Sequence, residues 1–287
     1  MKNAFQTVAL IGKITNPEIR EQAFALAKFL AERGIALVIE DKTAAAFDIQ
    51  GYPTSGIETI GTRADLAIVL GGDGTMLIAA RALLEHGIPL AGINRGSLGF
   101  LTDIRAEDML ADMGRILDGE YDLEQRIMLG ATLLRDGKHI STGRAFNDVV
   151  VSKGTLAQLI ELELTIDGEF VQCMRSDGLI VSTPTGTTAY SLSAGGPILH
   201  PGVYSLALVP ICPHTLSNRP LAINSASTVE ITVINAMDAR VHFDGQLHAD
   251  LQKGDKVVVR RMAQYVTLLH PRGHSYYAML RDKMNWG

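Results

Sequence analysis

The chain has 287 residues, 47% of them hydrophobic and 20% charged, a globular composition long enough for two domains of about 100–180 residues. Its 26 Lys and Arg are outnumbered by 31 Asp and Glu, for a net charge of −5. No basic block is present, which excludes a general nucleic-acid binder, because phosphate neutralisation dominates such affinities.

Apolar runs such as Leu66–Leu70 and 206–211 are far shorter than the ~20 residues that span a bilayer. The first residues show no apolar signal region. Cys173 and Cys212 are too few for a disulfide scaffold or a zinc site of their own. The expectation is a cytoplasmic protein with no membrane partner.

In chain order, 8–11 is a short apolar run ending in Gly12, the form of a strand buried on both faces. Asn16-Pro17 reads as a helix start. Ile19, Ala23, Leu26 and Leu30 recur at helical spacing, and Gly34 is placed to end that helix. Strands are predicted at 36–39, Leu66–Leu70 and 90–93, with helices over 76–86 and Met109–Leu117 closed by Gly87 and Gly119. Such alternation predicts a Rossmann-like parallel α/β domain over 1–123.

From Arg126 the period becomes two. Ile160–Ile166 alternates cleanly, and Asp136-Gly137 and Asp167-Gly168 are strong hairpin signals. Short strands at 229–233, 241–243, 256–260 and 265–269 extend the pattern, predicting an antiparallel β-sandwich over 124–268. A helical stretch at 275–284 lies in a C-terminal segment, 269–287, expected to return to the first domain. The fold class is therefore α/β followed by all-β.

Three segments carry chemistry. Gly71-Gly72-Asp73-Gly74-Thr75 follows an apolar strand and precedes a helix, where α/β sheets bind ligands and helix N-termini offer N–H groups. Glycines admit a phosphate to the backbone. A carboxylate there would repel a phosphate, so Asp73 makes sense as an acceptor of a proton from an attacking hydroxyl, or as help in placing Mg²⁺. On spacing alone the segment is equally a tight strand–helix turn. It is neither a Walker A loop nor a G-x-G-x-x-G fingerprint.

Asn94-Arg95-Gly96-Ser97-Leu98-Gly99-Phe100 follows the next strand and adds a cation, two glycines and an aromatic. As pattern it is also a glycine-shaped loop with Phe100 as a core plug. The third segment, 175–197, packs Thr, Ser and Gly around Tyr190 before a Gly-Gly-Pro stop. It offers neutral hydrogen bonds to sugars, bases and phosphates, or simply a Thr/Ser-rich loop.

Together with Asn147-Asp148 and Phe243-Asp244-Gly245-Gln246, these segments resemble the bacterial NAD kinases. The Gly-Gly-Asp-Gly-Thr run alone is shared with lipid kinases and phosphofructokinases, whereas the run from Ser176 to Pro197 is specific. The resemblance covers the chain from Val8 onward, in the expected order.

It implies ATP-dependent phosphorylation of NAD at the 2′-hydroxyl of the adenosine ribose, with Mg²⁺ or another divalent cation and ATP as donor. Asp73 would be the general base. Gly71, Gly72, Gly74 and Thr75 would cradle phosphates, and Asp73 and Gly74 would also meet the dinucleotide. Asn147 and Asp148 would bind the dinucleotide, as would Thr188, Ala189, Tyr190, Ser191, Leu192, Ser193 and Gln246. Arg175 and Asp177 would lie near it, in some members across a subunit interface, and Asn94, Arg95 and Phe100 are further candidates. A homodimer or homotetramer is implied.

The sequence departs from the family at Asp148, where Glu is common, at Thr187, where Ser is common, and at Gln158, often His or a basic residue. A lipid or sphingoid kinase and a non-catalytic NAD(P)-binding regulator are the alternatives. No apolar groove for an acyl chain is visible, and the intact Asp73 loop argues against the regulator.

Other constellations are weaker. His270-x₃-His274 has ligand-like spacing, but Pro271 and Gly273 intervene and no third ligand is evident. His242 and His248 flank a hairpin turn. No G-x-S-x-G elbow supports a hydrolase.

Overall fold

The computed structural model describes residues 4–12, 17–94, 99–155, 158–215 and 217–286. The chain forms two compact units, Met1–Gln125 with Tyr265–Gly287, and Arg126–Gln264.

The elements begin with β1 (Thr7–Gly12), α1 (Pro17–Glu32), β2 (Ala36–Glu40), α2 (Asp41–Phe47), β3 (Thr54–Ser55) and β4 (Leu66–Leu70). There follow α3 (Asp73–Leu83), β5 (Leu90–Asn94), β6 (Ile104–Arg105), α4 (Met109–Leu117) and β7 (Tyr121–Arg135), within which the chain passes into the second unit. That unit adds β8 (Lys138–Ala145), β9 (Asp148–Lys153), β10 (Ile160–Ile166), β11 (Glu169–Ser176) and β12 (Gly178–Ser182). It continues with α5 (Tyr190–Ser193), β13 (Ser205–Ile211), β14 (Leu221–Asn224), β15 (Val229–Asn235), β16 (Ala239–Phe243) and β17 (Leu247–Leu251). The chain returns within β18 (Lys256–Pro271) and ends in α6 (Tyr276–Met284).

In the first unit β3-β2-β1-β4-β5 are parallel neighbours, with Val8 opposite both Leu37 and Leu66. β4 and β5 are buried along their whole length, as expected for central strands covered on both faces. The predicted stripe on α1 is the buried one: Ile19, Ala23, Leu26 and Leu30 are at most 1% exposed. They join Leu10, Phe47, Ile68 and Ile116 in one core. Burying each large side chain contributes on the order of 1.5–3 kcal/mol. Gly34, at φ 71°, ends the helix as the sequence predicts. The start of α1 at Asn16 lies outside the described residues.

The second unit holds two antiparallel sheets. One runs β11-β10-β15-β18 and the other β14-β13-β12-β9-β16-β17. β7 pairs with β8, and the ring of Phe243 on β16 lies over Gly143 of β8, where no Cβ intervenes. The Asp-Gly turns Asp136-Gly137, Asp167-Gly168 and Asp244-Gly245 have both residues at positive φ. The first two are two-residue hairpin connections that match the twist of paired strands, and the third is lengthened by Gln246.

Two expectations need correction, and one helix has no counterpart among them. The helix placed at 76–86 begins at Asp73, since Gly72 serves as its N-cap, and it tightens into a 3-10 turn at 84–86 before Gly87. The strands predicted at 256–260 and 265–269 are one 16-residue strand, because nothing between them disrupts extended backbone. The short α2 has no stripe to announce it; the buried Glu40 side chain creates its start by accepting from Thr43 N–H at 2.7 Å.

Candidate active site

The first unit carries the Gly71–Thr75 loop. β4 delivers the chain at Leu70, and Gly71 N–H donates to Ile93 C=O of β5 at 3.0 Å, anchoring the loop at the carboxyl ends of two adjacent strands. The helix then starts at once, with Thr75 N–H on Gly72 C=O at 2.9 Å. Gly72 and Gly74 are exposed while Thr75 is buried. Glycine there leaves the positive end of the helix open to an anion.

Asp73 is the first residue of α3. Its Oδ1 accepts from Leu101 N–H at 3.0 Å and from the Thr102 hydroxyl at 3.1 Å, and its Oδ2 accepts from Phe100 N–H at 2.9 Å. Oδ2 therefore takes one of these three donors and Oδ1 two. Thr102, fully buried, also accepts from Asn94 Nδ2 at 3.0 Å, so the carboxylate rests on an Asn94–Thr102 relay. Gly99 permits this closure, since a Cβ there would overlap Oδ1 of Asp73. Phe100 thus reaches Asp73 directly and Asn94 reaches it through Thr102, while Arg95 lies outside the described residues. Thr102 escaped the sequence reading, although it stands only two residues beyond Phe100.

The second unit carries the Asn147-Asp148 pair and the Phe243–Gln246 segment. The Asp244 carboxylate, on the turn between β16 and β17, accepts from the N–H groups of Phe146, Asn147 and Asp148 at 3.0, 2.7 and 3.2 Å. Gly186 seats against the other side of Asn147, where a Cβ would overlap its backbone. Gly186 N–H donates to the Thr183 hydroxyl, which itself donates to Phe146 C=O at 2.7 Å. A motif residue from each of two distant segments therefore fixes the Asn147-Asp148 backbone.

Beside it opens a cavity of about 400 Å³ lined by Asn147, Asp148, Ala189, Tyr190, His242 and Asp244, among others. Its size suits part of a dinucleotide. Asp148 is only 4% exposed. Burial, with Asp244 adding like-charge repulsion, pushes its carboxyl up to about 7. Burial chiefly, then the neighbouring His248 and Arg240 charges, lowers the His242 imidazole.

The remaining candidates are spread out. Ser191 is buried, Thr188 and Leu192 are half-buried, and Ser193 is exposed on α5 or the turn before it. Arg175 is exposed on β11, and Asp177 pairs with Lys153 at 2.7 Å. Gln246 is exposed at the β16–β17 turn and does not line the cavity, whereas Asp244 and His242 do. Asp244 was legible as part of Phe-Asp-Gly-Gln; His242 had only its hairpin position. One expectation fails outright: His270 and His274 do have a third ligand-type neighbour, Asp103, far away in sequence.

A glycine-flanked carboxylate at a helix N-terminus in an α/β unit, and in a β unit a cavity that suits part of a dinucleotide, are the features of a nucleotide-dependent phosphotransferase. Models of the ATP-NAD kinase N-terminal domain and the ATP-NAD kinase C-terminal domain match residues 8–121 and 146–270. The chain belongs to the NAD kinase family.

It is 53% identical over 287 residues to the NAD kinase of Thiobacillus denitrificans, covering 100% of this chain and 99% of that one. It is 52% identical to the NAD kinase of Aromatoleum aromaticum, with 100% and 96% covered. Among solved structures it is similar to yeast NADH kinase complexed with NADH, with a TM-score of 0.91, 26% identity and coverage of 98% and 88%. An NAD kinase from Archaeoglobus fulgidus shares the fold, with a TM-score of 0.77, 21% identity and coverage of 96% and 99%. The lipid-kinase and regulator alternatives are not favoured.

Proposed function

We propose that the protein transfers the γ-phosphoryl group of ATP to the 2′-hydroxyl of the adenosine ribose of NAD, giving NADP and ADP. The observation that carries this reading is the Asp73 carboxylate, held at the N-terminus of α3 with fewer donors on Oδ2 than on Oδ1. Oδ2 takes the proton as the 2′-oxygen attacks phosphorus and the bond to the β-phosphate oxygen breaks. Positioning and charge stabilisation do most of the work in such transfers.

The Gly71–Gly74 loop and its helix terminus receive phosphate oxygens. Asn147, Asp148, Ala189 and Tyr190 receive the dinucleotide, with Thr188, Ser191, Leu192 and Ser193 shaping that wall. With both Asp73 oxygens engaged by Phe100, Leu101 and Thr102, the loop has little to offer a divalent ion directly. That donor set fits Mg²⁺ held mainly by the phosphates, where it would neutralise charge on the transferred group.

Gln246, Arg175 and Asp177 would contact the dinucleotide at its margin, the last two across a subunit interface of a homodimer or homotetramer. Light scattering that gives a monomer at assay concentration removes that role. No helix among the described residues is long and apolar enough to cross a membrane, and the two cysteines are free, in keeping with a cytoplasmic enzyme.

An NADP-specific cycling assay with NAD, ATP and Mg²⁺ tests the reaction. Wild type should form NADP and Asp73→Asn nearly none. No NADP from wild type overturns the reading, and equal rates overturn the role of Asp73.

A further inference from the structure

The first unit contains a cluster that phosphoryl transfer does not use. Asp103 precedes β6, Glu124 lies on β7, His270 near the end of β18, and His274 just before α6. Nδ1 of His270 and Nδ1 of His274 both meet Oδ2 of Asp103, at 2.9 and 2.8 Å. The ligand atoms of the three residues lie within 4.8 Å of one another. The two imidazoles stack at 4.0 Å with 18° between planes.

We propose that Asp103, His270 and His274 form a binding site for a divalent transition-metal ion of the zinc class.

Four features carry the assignment. Two of the spacings, 2.9 and 2.8 Å from Asp103 Oδ2 to the two Nδ1 atoms, are close to the roughly 2.9–3.4 Å that separates two ligands about 2.0–2.1 Å from a common metal. Nε2 of His270 is already held by Glu124 at 3.1 Å, the carboxylate–imidazole arrangement that orients metal-bound histidines. Asp103 Oδ1 is buried without a hydrogen bond, an arrangement that costs free energy and that a cation on the carboxylate would relieve. Finally, Asp103 and His274 border a cavity of about 380 Å³ that also reaches Asp108, Asp112 and Asp282. It gives an ion a route in and water a place as further ligand, with Arg105 and Arg272 as the cations on its wall.

The donor set separates this site from the ion that accompanies ATP. Imidazole nitrogens suit Zn²⁺, Co²⁺ or Ni²⁺, whereas Mg²⁺ prefers oxygen. On binding, the metal takes the place of the proton between His270 Nδ1 and Asp103, and that proton passes to buffer. His274 binds through Nδ1 after the proton that Nδ1 shares with Asp103 has moved to Nε2, so one proton is released in all. The ion would tie the segment before β6 to the end of β18 and the start of α6, so its readout is stability rather than catalysis.

The test uses the full-length protein stripped with a chelator. Calorimetry with Zn²⁺ should show one tight equivalent per chain with proton release, and the melting temperature should rise by several degrees at a hundredfold excess over Kd. Co²⁺ should give a visible d–d band and two paramagnetically shifted imidazole N–H proton resonances. Mg²⁺ should do neither. Glu124→Gln should weaken binding by about 10–100-fold, His274→Gln and Asp103→Asn should abolish it, and His139→Ala, on β8 of the second unit, should leave it intact.

The absence of both a Co²⁺ band and a Zn²⁺ melting shift in wild type overturns the proposal. So does binding that survives His274→Gln. Should the variants fail to fold, the two imidazole resonances of the wild-type Co²⁺ protein decide the matter.

Discussion

Gly99 lies so close to Asp73 that a methyl group at residue 99 would overlap Oδ1 of the carboxylate. The loop closes over the acid through the N–H groups of Phe100 and Leu101, and it can do so because residue 99 has no side chain. Gly99→Ala should therefore displace Asp73 without emptying the core. Since a misplacement of about 1 Å costs about 10²-fold, kcat should fall by about that factor. Circular dichroism and KM for ATP should stay near wild type. A variant with full kcat would show that this closure is not part of the catalytic geometry.

Asp73→Asn removes the base while keeping size and most hydrogen bonding. The expected loss in kcat is about 10²–10⁴-fold, with KM for NAD changed little. Thr102→Val provides a graded companion, because it deletes one of the donors on Oδ1. A net hydrogen bond to a charged group is worth about 1.5–3 kcal/mol, so kcat should drop roughly 10–150-fold. Steady-state kinetics on the pair separates chemistry from positioning: a KM effect without a kcat effect in Thr102→Val would contradict the relay.

Much of this was legible in the sequence, for identifiable reasons. Strands buried on both faces read as continuous apolar runs, and the α1 stripe reads at helical spacing, because burial acts on local periodicity. Asp73 stands out because it sits between glycines at a strand–helix junction, and Asn147, Asp148, Ala189 and Tyr190 are named because their segments resemble the NAD kinases. Thr102 and His242 were not legible: their importance arises from what lies across a turn or strand, and no local pattern records that. The pair at His270 and His274 shows the limit most clearly, since the ligand missing from the sequence reading, Asp103, is 167 residues from His270.

Asp148 should make substrate binding depend on pH. Its carboxyl is pushed up to about 7 chiefly by burial and then by Asp244, and in the proposed role it accepts hydrogen bonds from the dinucleotide best when ionised. KM for NAD should fall as pH rises through about 7, and Asp148→Asn should flatten that profile at a KM raised about 10–100-fold.

The stability consequence has the opposite sign. Between about pH 4 and 7 the folded chain retains a proton that the unfolded chain has released, so stability is lost as pH rises through that window. Asp148→Asn should therefore melt above wild type at pH 8, by on the order of 4 kcal/mol at most, and show no advantage near pH 4. Thermal melts at the two pH values check this. A variant less stable than wild type at pH 8 would mean that Asp148 is not strained by its surroundings.

Gly186 has no catalytic atom to offer, yet its backbone occupies the space behind Asn147, and a Cβ there would overlap the Asn147 carbonyl. The Thr183 hydroxyl, bonded to both Gly186 N–H and Phe146 C=O, prevents the turn from backing away. Asp244, on the opposite side, holds the 146–148 amides. Asn147 is thus clamped between two elements, and Gly186→Ala must move it toward the cavity. The expected result is a KM for NAD raised about tenfold or more, with KM for ATP unchanged, because the ATP loop belongs to the first unit. Equilibrium binding of NAD to the variant checks the same point without turnover. If NAD affinity is retained while melting temperature falls, Gly186 serves only packing and the clamp is not what positions the dinucleotide.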